Sequence, residues 1–221
     1  MSDMWGQYSQ YNSIARELGQ STSDVIKASA LYYQQGLEEA DVMKMTADTM
    51  KLATLAGENY EEAVQQITSA IHGFNLENTD SEAIMDTYVN LANKAAISVQ
   101  DIGSAMNRTA SIANTAGMSL EDTAAFISMI GSTTQESAET VGTAVRTMIA
   151  RFTSLKKDVS EIDFSEVGED FDVNKVQTAI QSAGIAVRDA SGQTRDWSDV
   201  ILELSKKWDT LDKNTKQYIA T

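Results

Sequence analysis

Residues 103–157 read GSAMNRTASIANTAGMSLEDTAAFISMIGSTTQESAETVGTAVRTMIARFTSLKK, and this stretch decides the fold. In its last third, Ala138, Val141, Val145, Met148, Phe152 and Leu155 recur at steps of three and four, one apolar stripe of a 3.6-residue period. Ser119-Leu120-Glu121-Asp122 has the form of a helix start, a hydroxyl able to cap orphan N–H groups and two acids in the first turn. Ala116-Gly117 ends the helix before it, because glycine takes the left-handed position at a helix end without steric cost. The stretch is therefore helix, glycine stop, capped helix, polar turn and long helix.

The same punctuation runs toward the N-terminus. An opening helix over 4–18 stops at Gly19, and Ser23-Asp24 caps a helix through Val25, Ile26, Ala30 and Leu31 to Gly36. A helix over about 38–56 carries Val42, Met45, Thr49, Leu52 and Ala56 and stops at Gly57. Asn59 opens the next, with Tyr60, Ala63, Val64, Ile67, Ile71 and Phe74 on its buried face. Thr79-x-x-Glu82 has capping-box spacing before a helix burying Ile84, Tyr88, Leu91 and Ala95, and Ser98-Val99-Gln100-Asp101 starts the helix that ends at Gly117. Segment 52–62 lines up with 112–122 at a shift of about 60 residues. Each copy is a helix end, a glycine, an aromatic or Leu anchor and two acids. Two readings are open: duplication of a helical hairpin, or the shared physics of stopping and starting any helix.

Beyond Lys157 the composition shifts. Asp158 to Asp172 is acidic, with Ile162, Phe164, Val167 and Phe171 scattered through it, and reads as a pinned loop. A short helix over 175–183 stops at Gly184. Alternation of Ile185 and Val187 around the turn former Asp189-Ala190-Ser191-Gly192 predicts a small β-hairpin ending near Arg195. The next helix offers Trp197, Val200, Ile201, Leu204, Trp208 and Leu211, and the uncapped end at 217–221 suggests a piece of a longer polypeptide. The expectation is an all-α fold, a compact multi-helix bundle with a β-hairpin near the C-terminus. Its expected parts are a helical core over 1–157 and a second region over 158–221.

The 221 residues include no proline and no cysteine, which favours helix and removes disulfides, thiolate catalysis and Cys-based zinc sites. A net charge of −15 argues against direct nucleic-acid binding, which needs concentrated Lys and Arg. No run approaches the roughly 18–20 apolar residues of a membrane-spanning helix. Arg146, Arg151, Lys156 and Lys157 form one basic cluster, read as cations offsetting a helix C-terminal dipole rather than as a docking patch for an acidic partner.

No catalytic set stands out. The single histidine, His72, lies near a helix end and reads as a capping or packing residue. The acid pairs Glu38/Glu39, Glu61/Glu62 and Glu121/Asp122 sit in first turns, where negative charge suits the helix N-terminus. Asp189-x-Ser191-Gly192-Gln193 has its glycine fourth rather than sixth and Val200 at the twelfth position, so it is not a calcium loop. No cofactor or metal is expected. Gly142 inside the long helix costs roughly 1 kcal/mol against alanine, which points to close helix–helix contact beside Ala138 and Ala144.

Taken in order, these motifs resemble the core region of phage tail tape measure proteins. The match runs from Ala116-Gly117-Met118-Ser119-Leu120-Glu121-Asp122 to Gly142-Thr143-Ala144-Val145-Arg146 and on to Arg151-Phe152. It continues through Gly184-Ile185-Ala186-Val187-Arg188-Asp189, Gly192, Arg195, Val200-Ile201-Leu202 and Lys207-Trp208-Asp209-Thr210-Leu211. It covers about 20 to 215, with Gly117, Ser119, Glu121, Gly142, Arg146, Gly192 and Trp208 as its motif positions. The family often carries glycine where Thr133-Thr134-Gln135 stands here.

The resemblance implies a non-enzymatic virion protein, made in the host bacterial cytoplasm and built into the tail. Such proteins set tail length, meet tail tube, tail tip and assembly chaperones, and act in genome delivery; self-association is possible. A continuous helix of this length would run about 330 Å at 1.5 Å per residue. Glycines at 19, 36, 57, 73, 117, 131 and 184 break the chain into ordinary helices, so the ruler itself is expected outside it. The alternatives are a peptidoglycan-degrading tail module and a generic acidic helical interaction module.

Overall fold

The computed structural model describes residues 2–154, 172–189, 195, 197–207 and 210–212. Ten α-helices occupy them: α1 (Ser2–Leu18), α2 (Thr22–Gln34), α3 (Glu39–Ala56), α4 (Tyr60–Phe74), α5 (Ser81–Ala92), α6 (Val99–Thr115), α7 (Leu120–Thr134), α8 (Ala138–Ser154), α9 (Val173–Ser182) and α10 (Trp197–Lys207). A 3-10 turn, Asn78–Asp80, leads into α5. Leu155, the stretch 158–171, Gly192, Trp208 and the segment 217–221 lie outside the described residues.

Local chemistry sets most boundaries. Gly57 and Gly117 lie at φ 71° and 85°, where a side chain would be strained. In both links the next N–H reaches five residues back, Glu58 N to Ala53 O at 3.1 Å and Met118 N to Ala113 O at 3.0 Å, capping carbonyls that the helix leaves orphaned. Asn59, Ser98 and Ser119 each accept the N–H three residues on, as their positions in the sequence predict.

Several expected boundaries move. The cap of α2 is Ser21 rather than Ser23. The capping box lies on Glu77 and Asp80 rather than Thr79 and Glu82. Gly73 and Gly131 are not stops: α4 and α7 run on to left-handed Asn75 and Gln135, both at φ 55°. Gln135 falls in the Thr133–Gln135 turn where the tape measure pattern often has glycine. Its side-chain amide donates to Ser132 O at 2.7 Å and to Ala96 O at 3.2 Å.

The helices fold back through short links, and alternate helices run parallel. The register shows in the cross-helix contacts. Asp41 accepts from Asn78, a carboxamide-filled gap joins Gln66 to Gly103, and Gly142 sits on Ala105. Each of these pairs is 37 residues apart. Helix α6 holds the middle, packed on α4 at one side and α8 at the other. A Cβ at Gly142 would stand 3.0 Å from Ala105 O, and one at Gly73 would overlap the Ala110 Cβ and lie 3.1 Å from its carbonyl carbon. Gly142 thus does allow close contact, though its partner is α6. The inward face of α8 is Val141, Val145, Ile149 and Phe152, while Met148 is 37% exposed; Ile149 takes the place expected for it.

The 60-residue shift extends well beyond the links. Helices α3 and α4 begin at 39 and 60, α6 and α7 at 99 and 120, and left-handed Asn75 recurs as Gln135. Buried positions repeat as well: Val42 and Ile102, Met45 and Ala105, Thr49 and Thr109, Ala53 and Ala113, Ile67 and Ile127. The contacts α2·α3, α3·α4, α2·α4, α4·α5 and α3·α5 have counterparts in α5·α6, α6·α7, α5·α7, α7·α8 and α6·α8. Generic helix punctuation accounts for a shared turn but not for shared burial and packing. The reading that survives is a duplicated three-helix unit, stacked so that each buries the other's apolar face.

Among the described residues the expected β-hairpin is absent. Among the described residues no strand forms, and the segment holds one isolated bridge position at Arg188. Arg195 N donates to Val187 O at 2.9 Å, but the turn at 190–194 lies outside the described residues. The alternation read from the sequence is real: Ile185 and Val187 are buried and Ala186 and Arg188 exposed. It comes from an extended segment whose apolar side chains join the buried cluster with Ile180, Val200 and Leu204. The Arg195 guanidinium donates to Ala186 O at 2.9 Å, supplying from a side chain a bond that a ladder would supply from backbone. Two strands alone are marginal in water, and helix packing takes their apolar residues instead.

Replacing Gly73 or Gly142 by alanine should cost about 1–3 kcal/mol through overpacking at the α6 crossings. At Gly6, where a Cβ meets nothing within 4 Å, alanine should stabilise by about 0.5–1 kcal/mol. Urea unfolding of the three variants checks both signs.

Candidate functional site

The motif residues fall at two places along α6. Gly117, Ser119 and Glu121 form its C-terminal link to α7, where Ser119 Oγ accepts the Asp122 N–H at 3.0 Å. Gly142 and Arg146 lie on the face of α8 turned to the middle of α6: Gly142 against Ala105, and Arg146 Nη1 donating to Arg108 O at 3.3 Å. Arg108 in turn pairs with Glu139 at 2.7 Å, an exposed bridge of low worth by itself. Arg146 therefore ties two helices together rather than presenting a free cation. Gly192 and Trp208 are outside the described residues.

Two buried polar groups escaped the sequence reading. Asp48 on α3 is 5% exposed at its side chain; it pairs with Lys44 at 2.9 Å and Lys51 at 3.7 Å and accepts Ser81 Oγ at 2.7 Å. This fastens α3 to the first turn of α5. Gln66 on α4 is 1% exposed and donates to Glu58 Oε2 at 2.8 Å, where burial pushes the Glu58 carboxyl up to about 7. The nearby charge of Glu62 adds to that rise and the Gln66 bond opposes it. A signal for both was present: Asp48 follows Met45 by three and precedes Leu52 by four, and Gln66 stands likewise between Ala63 and Ala70. A polar residue inside a helical stripe marks a buried hydrogen-bonding site.

In the C-terminal region Arg195 and Lys207 flank Glu203 at 2.8 Å and 3.7 Å, and the Arg195 bond holds that carboxyl below the usual range. Lys207 Nζ also donates to Gly184 O at 2.8 Å, closing the C-terminal end of α9. Among the described residues there is no group of three or more His, Asp or Glu placed to hold a metal. One surface cavity of about 350 Å³ is lined by Gln181 and Gly184 to Arg188, and another of about 460 Å³ by Ser9, Asn12, Ser13, Arg16 and Glu17. Neither gathers two carboxylates from the described residues. Asp48, Arg108, Arg146 and Lys207 each tie their helix to another element, and what the arrangement offers is surface.

A family model described as phage-related minor tail protein matches residues 12–221. The chain belongs to the phage-related minor tail protein family. The match spans both three-helix units and the C-terminal region, so all of these are parts of one family body. The minor tail protein is a structural component of the virion tail, where its faces meet other tail components. No helix among the described residues is long and apolar enough to cross a membrane.

Asp48→Ala should lose about 2–3 kcal/mol, since it removes hydrogen bonds to a charged group and leaves Ser81 buried without its acceptor. Ser119→Ala should lose about 1 kcal/mol as a lost helix cap. Guanidinium titration of the two variants against wild type gives both values.

Proposed function

We propose that this minor tail protein is a module of a tape measure protein, taking part in tail-length determination, tail assembly and genome delivery, and that it works by docking rather than by catalysis. The observation that carries the reading is the order of the tape measure motifs on one set of helices. The Ala116-Gly117 link with capping Ser119 joins α6 to α7, and the Gly142-to-Arg146 segment lies where α8 packs against α6. Substitution at Gly142 or Arg146 disturbs the packing on α6, and substitution at Gly117 or Ser119 disturbs the turn that ends it. That is what a module selected for shape requires.

Length measurement itself is assigned to sequence outside these residues. Helices of 10–18 residues folded back on one another span far less than an extended ruler of equal length. The partners proposed are tail tube and tail tip proteins and assembly chaperones, met through an acidic exterior, with synthesis in the host bacterial cytoplasm. No step of this role calls for a cofactor.

In-frame deletions in the full-length gene test the assignment. Removing 60 residues of long-helix sequence outside this module should shorten the tail by about 90 Å at the rise of an α-helix. Removing one three-helix unit inside it should instead stop tails from assembling. Electron micrographs of the particles decide: tails of unchanged length after the outer deletion would refute the tape measure reading.

A further inference from the structure

Where α4 crosses α6, the structure leaves two acceptors without a donor. Glu58 Oε1 and Gln66 Oε1 are both buried and unpartnered, while the other halves of the same two groups are joined, Gln66 Nε2 donating to Glu58 Oε2 at 2.8 Å. A carboxylate can only accept, and an amide oxygen can only accept, so these two oxygens cannot satisfy each other. A neutral carboxyl changes this: its O–H can donate to the amide oxygen while its second oxygen keeps the amide N–H. One proton completes the pairing.

The surroundings hold the two groups in register. Glu58 follows left-handed Gly57, and its own N–H is fixed to Ala53 O at 3.1 Å. Gln66 is pressed against α6 at Gly103, where a Cβ would run into the Gln66 carboxamide. From α4 the facing charge is Glu62, whose Oε2 accepts Gln100 Nε2 of α6 at 3.3 Å. On α6, Asp101 is turned away to its cap partner Ser98 Oγ at 2.6 Å. The negative charge of Glu62 and the loss of water both favour the protonated form.

We propose that Glu58 and Gln66 form a proton-operated clasp within the first three-helix unit, at the seam where α4 meets Gly103 of α6 in the second, closed as an acid–amide ring when Glu58 is neutral and half-open when it ionises. The closed ring gives both unpartnered oxygens, Glu58 Oε1 and Gln66 Oε1, a hydrogen bond. Ionisation leaves a buried charge facing an amide oxygen, and such unpaired groups are costly. The folded-state value of about 7 lies above the ordinary 4.5. The clasp's contribution is therefore complete below about pH 4.5 and is lost as pH rises through about 7. The stack is tightest in mildly acidic surroundings and loosens at the α4–α6 seam as protons leave.

The test uses the 221-residue chain labelled with carbon-13 at its glutamate carboxyls. Comparison with Glu58→Gln assigns the Glu58 signal. We expect a titration midpoint near 7, with the backbone amides of Gln66 and Gly103 shifting at the same midpoint. Glutamine at 58 supplies a permanent N–H donor, so the thermal midpoint of Glu58→Gln should lack the wild-type fall between about pH 5 and pH 8. A Glu58 midpoint near 4.5 overturns the clasp, as does an equal fall in the variant. Were the variant not to fold, the wild-type titration decides by itself.

Discussion

Everything in this fold depends on how closely two helices can come to α6. The crossings are made by residues with little or no side chain: Gly73 over Ala110, Gly103 under Gln66, Gly142 over Ala105. At these points backbone meets side chain or backbone at van der Waals distance, and any added methyl must displace a neighbour. The helices lose a little intrinsic stability by carrying glycine in their interiors. They recover it by burying larger residues beside the crossing, among them Ile67, Ile102, Met106, Val145 and Ile149. The first unit and the helix that follows the second both lean on α6, through α4 and α8.

Duplication explains why α6 occupies that position. Its counterpart α3 packs on α5 just as α6 packs on α8, and the polar fastening changes while the geometry stays. Between α3 and α5 the fastening is Asp48 with Ser81 and Lys44; between α6 and α8 Arg108 pairs with Glu139. The sign of the charge at the shared position, 48 and 108, has reversed and the partner with it. The two copies thus differ in their polar fastening, which is buried at Asp48 and Ser81 and exposed at Arg108 and Glu139.

The helical part was legible in the sequence because its signals are local. Gly19, Gly36, Gly57, Gly117 and Gly184 all hold positive φ, and Asn59, Ser98 and Ser119 all cap the helices they precede. What failed was anything decided by a neighbour far along the chain. Gly73 and Gly131 look like stops and are contact glycines, since Ala110 and Ile97 lie against them. Met148 fits the apolar stripe of α8, yet α6 meets that helix one residue further round, at Ile149. Ile185 and Val187 alternate like a strand, but burial beside helices produces the same pattern. The buried pair of Glu58 and Gln66 was readable only as a polar break in a stripe, because Glu58 sits outside the helix, in the link ahead of α4.

The packed helix pairs are neighbours or next neighbours along the chain, with α3 and α6 the widest separation among the main contacts. No early segment must wait for a distant one to arrive before it can be covered, which keeps the entropic cost of closing loops small. Such a body can be laid down from its leading end while the ribosome is still delivering the rest. By the same token it can be peeled from either end under tension, one turn-and-helix after another.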